Sequence, residues 1–343
     1  MICRKLFLAG AILSVLSGCQ TTSIDNIALP KSKHISHDTY EVERQSAQVL
    51  RDEAQKLAIG MRSYCNGEIS RSSLQGSWLK TMSAWMAIQG QGRGPEAALA
   101  QSWNIQLWPD KKNTTGRKMR EIFSSSKSWS QEEIANQSVA VQGVGAVEWL
   151  LFDQASPLTR DDKVCKTAMA ITENLAIHVT EISEAWENNP WSDLGEQQWY
   201  SEYISVLSNQ LSYSLKKMTL PLARFGHPRP YFSESWRSQA SLQNLKSNIS
   251  AMQRLYLAGG NGLDKILRDK GHTYLADRIV RQFSMMLDTW PSEESLFELV
   301  QSKSGYQNVY SQYNKLEHLQ YLIHEEVAVE LGVIIGFNST DGD

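Results

Sequence analysis

One acidic residue, Glu148, lies in a largely apolar run, Ala140–Phe152, that also contains Gly143 and Gly145. Such a carboxylate could bind a cation or a polar ligand with help from other side chains, and the two glycines would let a ligand or a neighbouring helix come close. The alternative is a buried acid satisfied by hydrogen bonds or by an arginine. One carboxylate alone cannot hold zinc or iron in a closed site, so a metal at Glu148 requires further ligands.

His178 is the candidate for a second ligand. It lies three residues after Leu175 and four before Ile182, on the apolar stripe of a predicted helix. An antiparallel turn could bring it near Glu148, and imidazole and carboxylate are both ligands of zinc and iron. The alternative is a core histidine with ordinary hydrogen-bond partners. We therefore expect either an iron or zinc ion held by Glu148 and His178, or no cofactor.

Peptidase chemistry needs more than these residues supply. A zinc peptidase requires a metal-activated water and a general base. The sequence has no His-Glu-x-x-His string, and the nearest one, His324–Ala328, lacks the second histidine. Asp110 is a loop acid that either caps a helix or reaches a ligand site together with Glu148. The residues favour binding over hydrolysis.

The N-terminus has the pattern of a bacterial lipoprotein precursor. Two basic residues precede an eleven-residue apolar or small stretch, Leu6–Leu16, which is followed by Ser-Gly and then Cys19. That stretch is too short to span a bilayer, and its end resembles the site where precursors are cut and the new N-terminal cysteine is acylated. We expect residues 1–18 to be a signal peptide and Cys19 to carry lipid. The next residue is Gln20, where an inner-membrane lipoprotein often carries aspartate. We therefore expect attachment to the outer membrane, with the protein facing the periplasm or the cell surface.

Cysteine usage predicts a disulfide. Once Cys3 leaves with the signal peptide and Cys19 is acylated, Cys65 and Cys165 remain. The compartment outside the inner membrane is oxidising, so we expect these two to pair. Neither lies in a Cys-x-x-Cys string, which makes a metal role the weaker interpretation.

The charge balance limits the partners. The chain has 34 Lys and Arg residues against 37 Asp and Glu residues, and loss of residues 1–18 leaves 32 against 37. A net acidic chain argues against a nucleic-acid partner, which favours a basic face. No later run approaches the roughly 18 apolar residues of a membrane span. We therefore expect the protein to be attached to the membrane only through the lipid on Cys19.

Apolar residues recur at helical spacing through nearly the whole body of the chain. The stripes run over Leu50–Met61, Leu74–Trp85, Val164–Trp186, Ile204–Met218, Leu242–Tyr256 and Ile279–Trp290. Ser130–Glu133 has a capping-box sequence, which we expect to open the helix that carries Glu148. Further along the chain, Gly259–Gly262 should end the helix that precedes these glycines. No strand alternation is present. The predicted fold class is all-α, as two antiparallel helical bundles.

The predicted organisation has two bundles behind a tether. We expect a polar tether over 19–38, a first bundle with the Glu148 run over 39–193, and a second bundle over 194–343. The boundary is placed in the segment 187–195. Because burial of an indole ring removes a large area from water, four tryptophans at helical spacing are assigned to the core: Trp78, Trp85, Trp149 and Trp186.

Four stretches of the chain, one of which contains Gly143 and Glu148, resemble the imelysin family. Its signature is Gly-x-His-x-x-Glu on a helix before an apolar stretch; Gly143 and Glu148 match, but Gly145 stands at the histidine position. The other stretches are Trp108-Pro109-Asp110 after Gly94-Pro95, Leu220-Pro221-Leu222 with Ser235-Trp236 and Ser241-Leu242 downstream, and the C-terminal Leu331–Asp343. The likeness covers about residues 45–343.

The resemblance implies a two-domain helical protein on the periplasmic or cell-surface side. The family is catalogued as metallopeptidases, and it includes iron-regulated lipoproteins and the substrate-binding component of a ferrous iron uptake system. With Gly145 in place of the histidine, we expect a membrane-anchored binding or accessory component in iron or metal acquisition, with an iron-uptake protein as partner and no peptidase activity. The alternatives are a metallopeptidase of the family and a metal-free protein-interaction module.

Overall fold

The computed structural model of the protein describes residues 33–293 and 295–333. The predicted signal peptide, the predicted lipid-attachment site Cys19, the predicted tether up to residue 32 and the C-terminal residues 334–343 lie outside the described part. None of the described helices is both long enough and apolar enough to cross a membrane.

The described chain is helical, as its apolar periodicity predicts. The first helices are α1 (His37–Cys65), α2 (Arg71–Trp85), α3 (Glu96–Ala100), α4 (Ser102–Ile105), α5 (Thr114–Ser124), α6 (Gln131–Ala135), α7 (Val144–Phe152) and α8 (Asp162–Ala185). They are followed by α9 (Glu196–Leu222), α10 (Ser241–Leu257), α11 (Leu263–Asp269), α12 (Thr273–Asp288), α13 (Leu296–Leu299), α14 (Lys303–Tyr321) and α15 (Val327–Leu331). Leu322–Glu326 forms a π-helical turn between α14 and α15. Within residues 33–293 and 295–333 no strand forms, and the all-α fold class is confirmed.

The first group of helices is organised by α1. This helix packs along both α2 and α8, and α7 packs against α2, α5 and α8. The predicted stripe of α1 is fully buried at Leu50, Leu57 and Met61. The four tryptophans assigned to the core are all buried as predicted: Trp78, Trp85, Trp149 and Trp186.

The second group is organised by α9. It packs against α14 and α10, while α12 lies against α10, α11 and α14. Between the groups, α10 touches α1 and α2. A continuous series of rings also follows the end of α8: Trp186, Trp191, Trp199 and Tyr203 have successive centroid separations of 5.4, 5.1 and 4.9 Å.

The segment predicted as the domain boundary is held against the start of α1. His34 Nε2 lies 2.9 Å from the carbonyl oxygen of Leu194, and the Asn189 amide donates to Ser36 Oγ at 2.9 Å. These contacts order the chain before the helix, so α1 begins at His37, inside the segment predicted as tether. The boundary between residues 193 and 194 stays a prediction.

The capping box at Ser130 forms, but it opens a different helix from the predicted one. Ser130 Oγ accepts from the Glu133 N–H, and the Glu133 carboxylate accepts from the Ser130 N–H. This box starts α6, which ends at Ala135. The expectation that one helix continues to Glu148 is therefore wrong. The chain turns through residues 136–143 before α7 begins, because Gly143 must fit against the backbone of another segment.

The predicted disulfide between Cys65 and Cys165 is confirmed, with the Cα atoms 5.8 Å apart. It joins the last residue of α1 to the first turn of α8. The bond thus connects two helices that already pack along their lengths.

Candidate ligand site around Glu148

The glycines before Glu148 have different structural roles. A Cβ added at Gly143 would lie 2.1 Å from the carbonyl oxygen of Ile105, so the backbone of residues 104–105 passes where any side chain would be. At Gly145 a Cβ would meet nothing within 4 Å. Gly143 therefore sets the packing of α7, whereas Gly145 leaves open space one turn before the acid.

Glu148 has the partners of a satisfied buried acid. Its residue is 4 % exposed, and Oε1 accepts hydrogen bonds from the N–H and the hydroxyl of Ser238, both at 2.9 Å. Oε2 lies 3.9 Å from Nη1 of Arg237. Burial raises the pKa of Glu148, while Arg237 and the Ser238 hydrogen bonds act in the opposite direction. The arrangement matches the alternative of an acid held by hydrogen bonds and an arginine.

The loop between Phe232 and α10 supplies both partners. Arg237 is fixed within it by Asp153, 2.8 Å from Nε, by the Asn113 side chain, 2.6 Å from Nη2, and by the ring of Trp236, 4.3 Å from Cζ. Sequence reasoning missed Arg237 and Ser238. Their only signal was the neighbouring Ser-Trp pair in the family resemblance, because the loop has no periodicity that would place it 90 residues back on α7.

A second, fully buried charge pair lies beside this site. Lys217 and Glu234, each with a side chain 1 % exposed, are 2.5 Å apart. Glu234 also accepts from the amides of Gln89 and Gln106 at 2.7 and 3.0 Å, and Lys217 donates to Asn248 at 2.7 Å. Burial lowers the pKa of Lys217, and Glu234 opposes that change. The pair is not recognisable in the sequence, because Lys217 lies next to an apolar helix stripe, as surface lysines also do.

A small cavity of about 40 Å³ adjoins Glu148 and is lined also by Asp110, Gly145, Gln106 and Ser233. This volume has room for a few water molecules. It has no room for a peptide. The cavity is bordered by polar groups from both helix groups, so the Glu148 carboxylate lies where the two groups meet.

Asp110 fulfils the capping role that the sequence allowed. Its Oδ1 accepts from the Thr114 N–H at 2.6 Å and its Oδ2 from the Thr115 N–H at 2.9 Å, at the start of α5. It also lines the cavity beside Glu148. Both oxygens are engaged by backbone N–H groups, which are good carboxylate partners. A ligand in the cavity would therefore compete with a helix cap for this acid.

His178 is not brought to Glu148. Its Nε2 lies 3.3 Å from the side-chain oxygen of Gln142, its Nδ1 lies 3.9 Å from Glu181, and it does not line the cavity. Burial lowers the pKa of His178, and Glu181 opposes that effect. The hypothesis that it replaces the missing imidazole lacks the proximity it needs. His178 faces the turn before α7, whereas the cavity lies on the side of α7 that faces α2 and the 233–239 loop.

The residues around Glu148 do not fit a resident zinc or iron ion. One oxygen already accepts two hydrogen bonds, the other faces the Arg237 cation, and Gly145 offers no ligand. In the described ranges no three His, Cys, Asp or Glu residues are placed to share a metal ion. A closed site needs about four donors and an open catalytic site about three. No hydrolytic step is derived from this donor set.

Known proteins place the chain in a family. The family model described as Imelysin matches residues 40–323. An imelysin-like protein from Psychrobacter arcticum 273-4 has a similar structure, with a TM-score of 0.74 and 17 % identity over 88 % of this chain and 96 % of that one. A protein from Parabacteroides distasonis ATCC 8503, described as a putative iron-regulated protein A precursor, has a TM-score of 0.59 and 12 % identity over 85 % and 94 %.

No curated protein matches the chain significantly. At these identities the two solved structures show a shared fold and nothing finer. The family match covers residues 40–323, which are most of the sequence and include Glu148. The chain belongs to the imelysin family.

Proposed function

We propose that this chain is an outer-membrane lipoprotein, attached through lipid on Cys19, that serves iron or metal acquisition as a binding or accessory component without peptidase activity. The observation that carries the proposal is the pairing of Glu148 with Ser238 and Arg237 where a metal site would need further ligands. The chain acts through what it binds rather than through a reaction at this acid.

The proposed lack of peptidase activity rests on the chemistry of the donors. A zinc-bound water would need at least two more protein ligands beside Glu148, and the guanidinium of Arg237 would repel a cation there. The adjoining cavity of about 40 Å³ also excludes a peptide segment. Both points argue against hydrolysis at this place, whatever metal is added.

The iron-related part rests on relatives. The Parabacteroides protein carries iron regulation in its description, and the family resemblance implies roles in iron uptake. The lipoprotein part rests on the string that ends at Cys19. An iron-uptake protein in the same membrane system is the partner that these two points favour together.

Three measurements test the proposal. Purified protein should leave casein and insulin intact with added zinc; cleavage that Glu148→Gln abolishes would make the peptidase alternative correct. Equilibrium dialysis should give the same Fe²⁺ and Zn²⁺ binding for wild type, Glu148→Gln, His178→Ala and the surface control Glu121→Gln. If the wild type binds one ion tightly and either Glu148→Gln or His178→Ala loses it, these residues hold a metal and this part of the proposal is wrong.

The cellular role is tested in the host bacterium. Deletion of the gene should slow growth in chelator-treated medium, and excess iron or the wild-type gene should restore it; growth equal to wild type under iron limitation would refute the iron role. Labelled palmitate should enter the wild-type protein and not Cys19→Ser. Labelling of both proteins, or of neither, would refute the lipid attachment.

A further inference from the structure

A large open groove lies away from Glu148, between the first half of α1, the end of α2 and the end of α10. Its volume is about 960 Å³, which is the upper range of small-molecule sites. Apolar side chains of α1 and α10, including Val42, Val49 and Leu257, form much of its walls. Two small residues at and just after the end of α2, Ala84 and Ala87, also line it.

The groove is elongated along α1. Its α1 wall runs from Val42 to Glu53, a helical rise of about 16 Å. Val49 lies on this wall and is 53 % exposed. An elongated apolar ligand would cover it.

Two cations, Arg254 and Lys80, line the same groove. Within residues 33–293 and 295–333, neither Arg254 nor Lys80 has a hydrogen-bond or ion-pair partner for its side chain. Dehydration at the groove wall lowers the pKa of Arg254, and no acidic group offsets it. The acid in the lining, Glu53, is already paired with Lys56 at 2.7 Å. The groove therefore combines apolar walls with unneutralised positive charge.

We propose that this groove binds an amphipathic anion, a single alkyl chain with a carboxylate or phosphate head group. The alkyl chain would cover Val42, Val49 and Leu257, because burial of apolar area is favourable. The head group would accept hydrogen bonds from Arg254 and Lys80, whose charges no protein carboxylate within the described residues neutralises. This site is separate from Glu148, and the inference does not rest on the proposed role in iron acquisition.

Calorimetric titration of the full chain carrying Cys19→Ala, which lacks an acylation site, tests the inference. Dodecanoate and lysophosphatidylglycerol are the two anionic probes, and dodecyltrimethylammonium is the probe with the opposite charge. We expect saturable binding of one anion per chain and at least tenfold weaker binding of the cation. Whichever anionic probe binds more tightly distinguishes a free fatty acid from a phospholipid-derived source.

Matched variants locate the binding. Arg254→Gln combined with Lys80→Gln should weaken the binding of dodecanoate at least tenfold. Arg281→Gln, which replaces an exposed arginine on α12, should leave the affinity unchanged. Val49→Glu should weaken it similarly, whereas Val329→Glu, at a valine 77 % exposed on α15, should not. Absent saturable binding, equal binding of the cationic probe, or unchanged affinity in the groove variants with unchanged thermal unfolding would overturn the inference.

Discussion

At the scale of single residues, several buried polar groups depend on one or two partners. Glu43 on α1 is 1 % exposed, and one of its carboxylate oxygens accepts from the Gln91 amide. Its other oxygen has no hydrogen-bond partner within the described residues. Burial raises the pKa of Glu43 to about 8, with Gln91 acting in the opposite direction. The folded protein therefore holds this acid neutral at pH 7.

The stability of the protein should fall with rising pH because of Glu43. The folded state keeps the proton up to about pH 8, while the unfolded chain releases it near 4.5, so folding is progressively opposed between these values. Glu43→Gln should raise the free energy of unfolding by about 2–4 kcal/mol at pH 8 and by little at pH 4.5. Urea denaturation at both pH values measures the difference.

Glu121→Gln, at an exposed acid, is the control for this prediction and should show no such pH-dependent gain. A Glu43→Gln gain that is equal at pH 4.5 and pH 8 would show that the carboxyl of Glu43 does not titrate as described.

The Lys217–Glu234 pair should be costly to break from one side. Lys217→Met leaves Glu234 buried without its counter-ion, which typically costs about 3–5 kcal/mol. Lys217→Met with Glu234→Gln should recover most of that loss, because the neutral amide introduced by the second substitution keeps an oxygen for the Gln89 and Gln106 amides. Urea unfolding of the single and double variants measures both the loss of stability and its recovery.

The exposed pair Lys118–Glu121 provides the comparison, since Lys118→Met should change stability by at most about 0.5 kcal/mol. A double variant as unstable as Lys217→Met would mean that packing around the lysine stem, not the charge, controls the loss.

At the scale of elements, helix α7 is positioned by one glycine and weakened by another. Gly143→Ala would place its Cβ 2.1 Å from a carbonyl oxygen and force α7 away from residues 104–105. We expect the free energy of unfolding to fall by about 2 kcal/mol or more, as it does when other well-packed sites are overfilled. Gly145→Ala adds a methyl group in open space within a helix, and it should raise the free energy of unfolding by up to about 1 kcal/mol. Thermal unfolding of the two variants should shift in opposite directions, and a shared direction would refute this division of roles.

At the scale of the whole molecule, the disulfide closes a loop of about 100 residues around the first helix group. In the chain-entropy view such a crosslink stabilises the fold by about 4–5 kcal/mol, because it restricts the unfolded chain. Cys65→Ala with Cys165→Ala should lower the free energy of unfolding by a comparable amount. A reductant should destabilise the wild type equally and leave the double variant unchanged, and a reductant effect on both would point to another cause.

The elements that the sequence predicts well are those with local causes. The stripe over Val164–Trp186 becomes α8, which spans Asp162–Ala185, because the period of an amphipathic helix is written in consecutive residues. The Ser130 capping box is equally local, since its two hydrogen bonds lie within four residues. The extension of that helix to Glu148 failed, because the turn over 136–143 depends on the approach of residues 104–105.

The candidate site divides in the same way. Glu148 and Asp110 are recognisable as isolated acids in their segments, and both line one cavity. Their partners are not recognisable, because Arg237 and Ser238 come from a loop 90 residues away without a repeating pattern. His178 has the right spacing on its own helix, yet the rotation of α8 directs it to Gln142.

Residue identity and spacing were enough to establish the helical class of this protein, the core tryptophans and the Cys65–Cys165 pair, since periodicity and composition need no neighbours. Three-dimensional packing was required to show that Glu148 is bound by Ser238 and Arg237, that Lys217 and Glu234 pair in the interior, and that an apolar groove carries unpaired cations within the described chain. Those features depend on how separate helices rotate and approach one another. That arrangement follows from packing over the whole chain and leaves no periodic trace in any one segment.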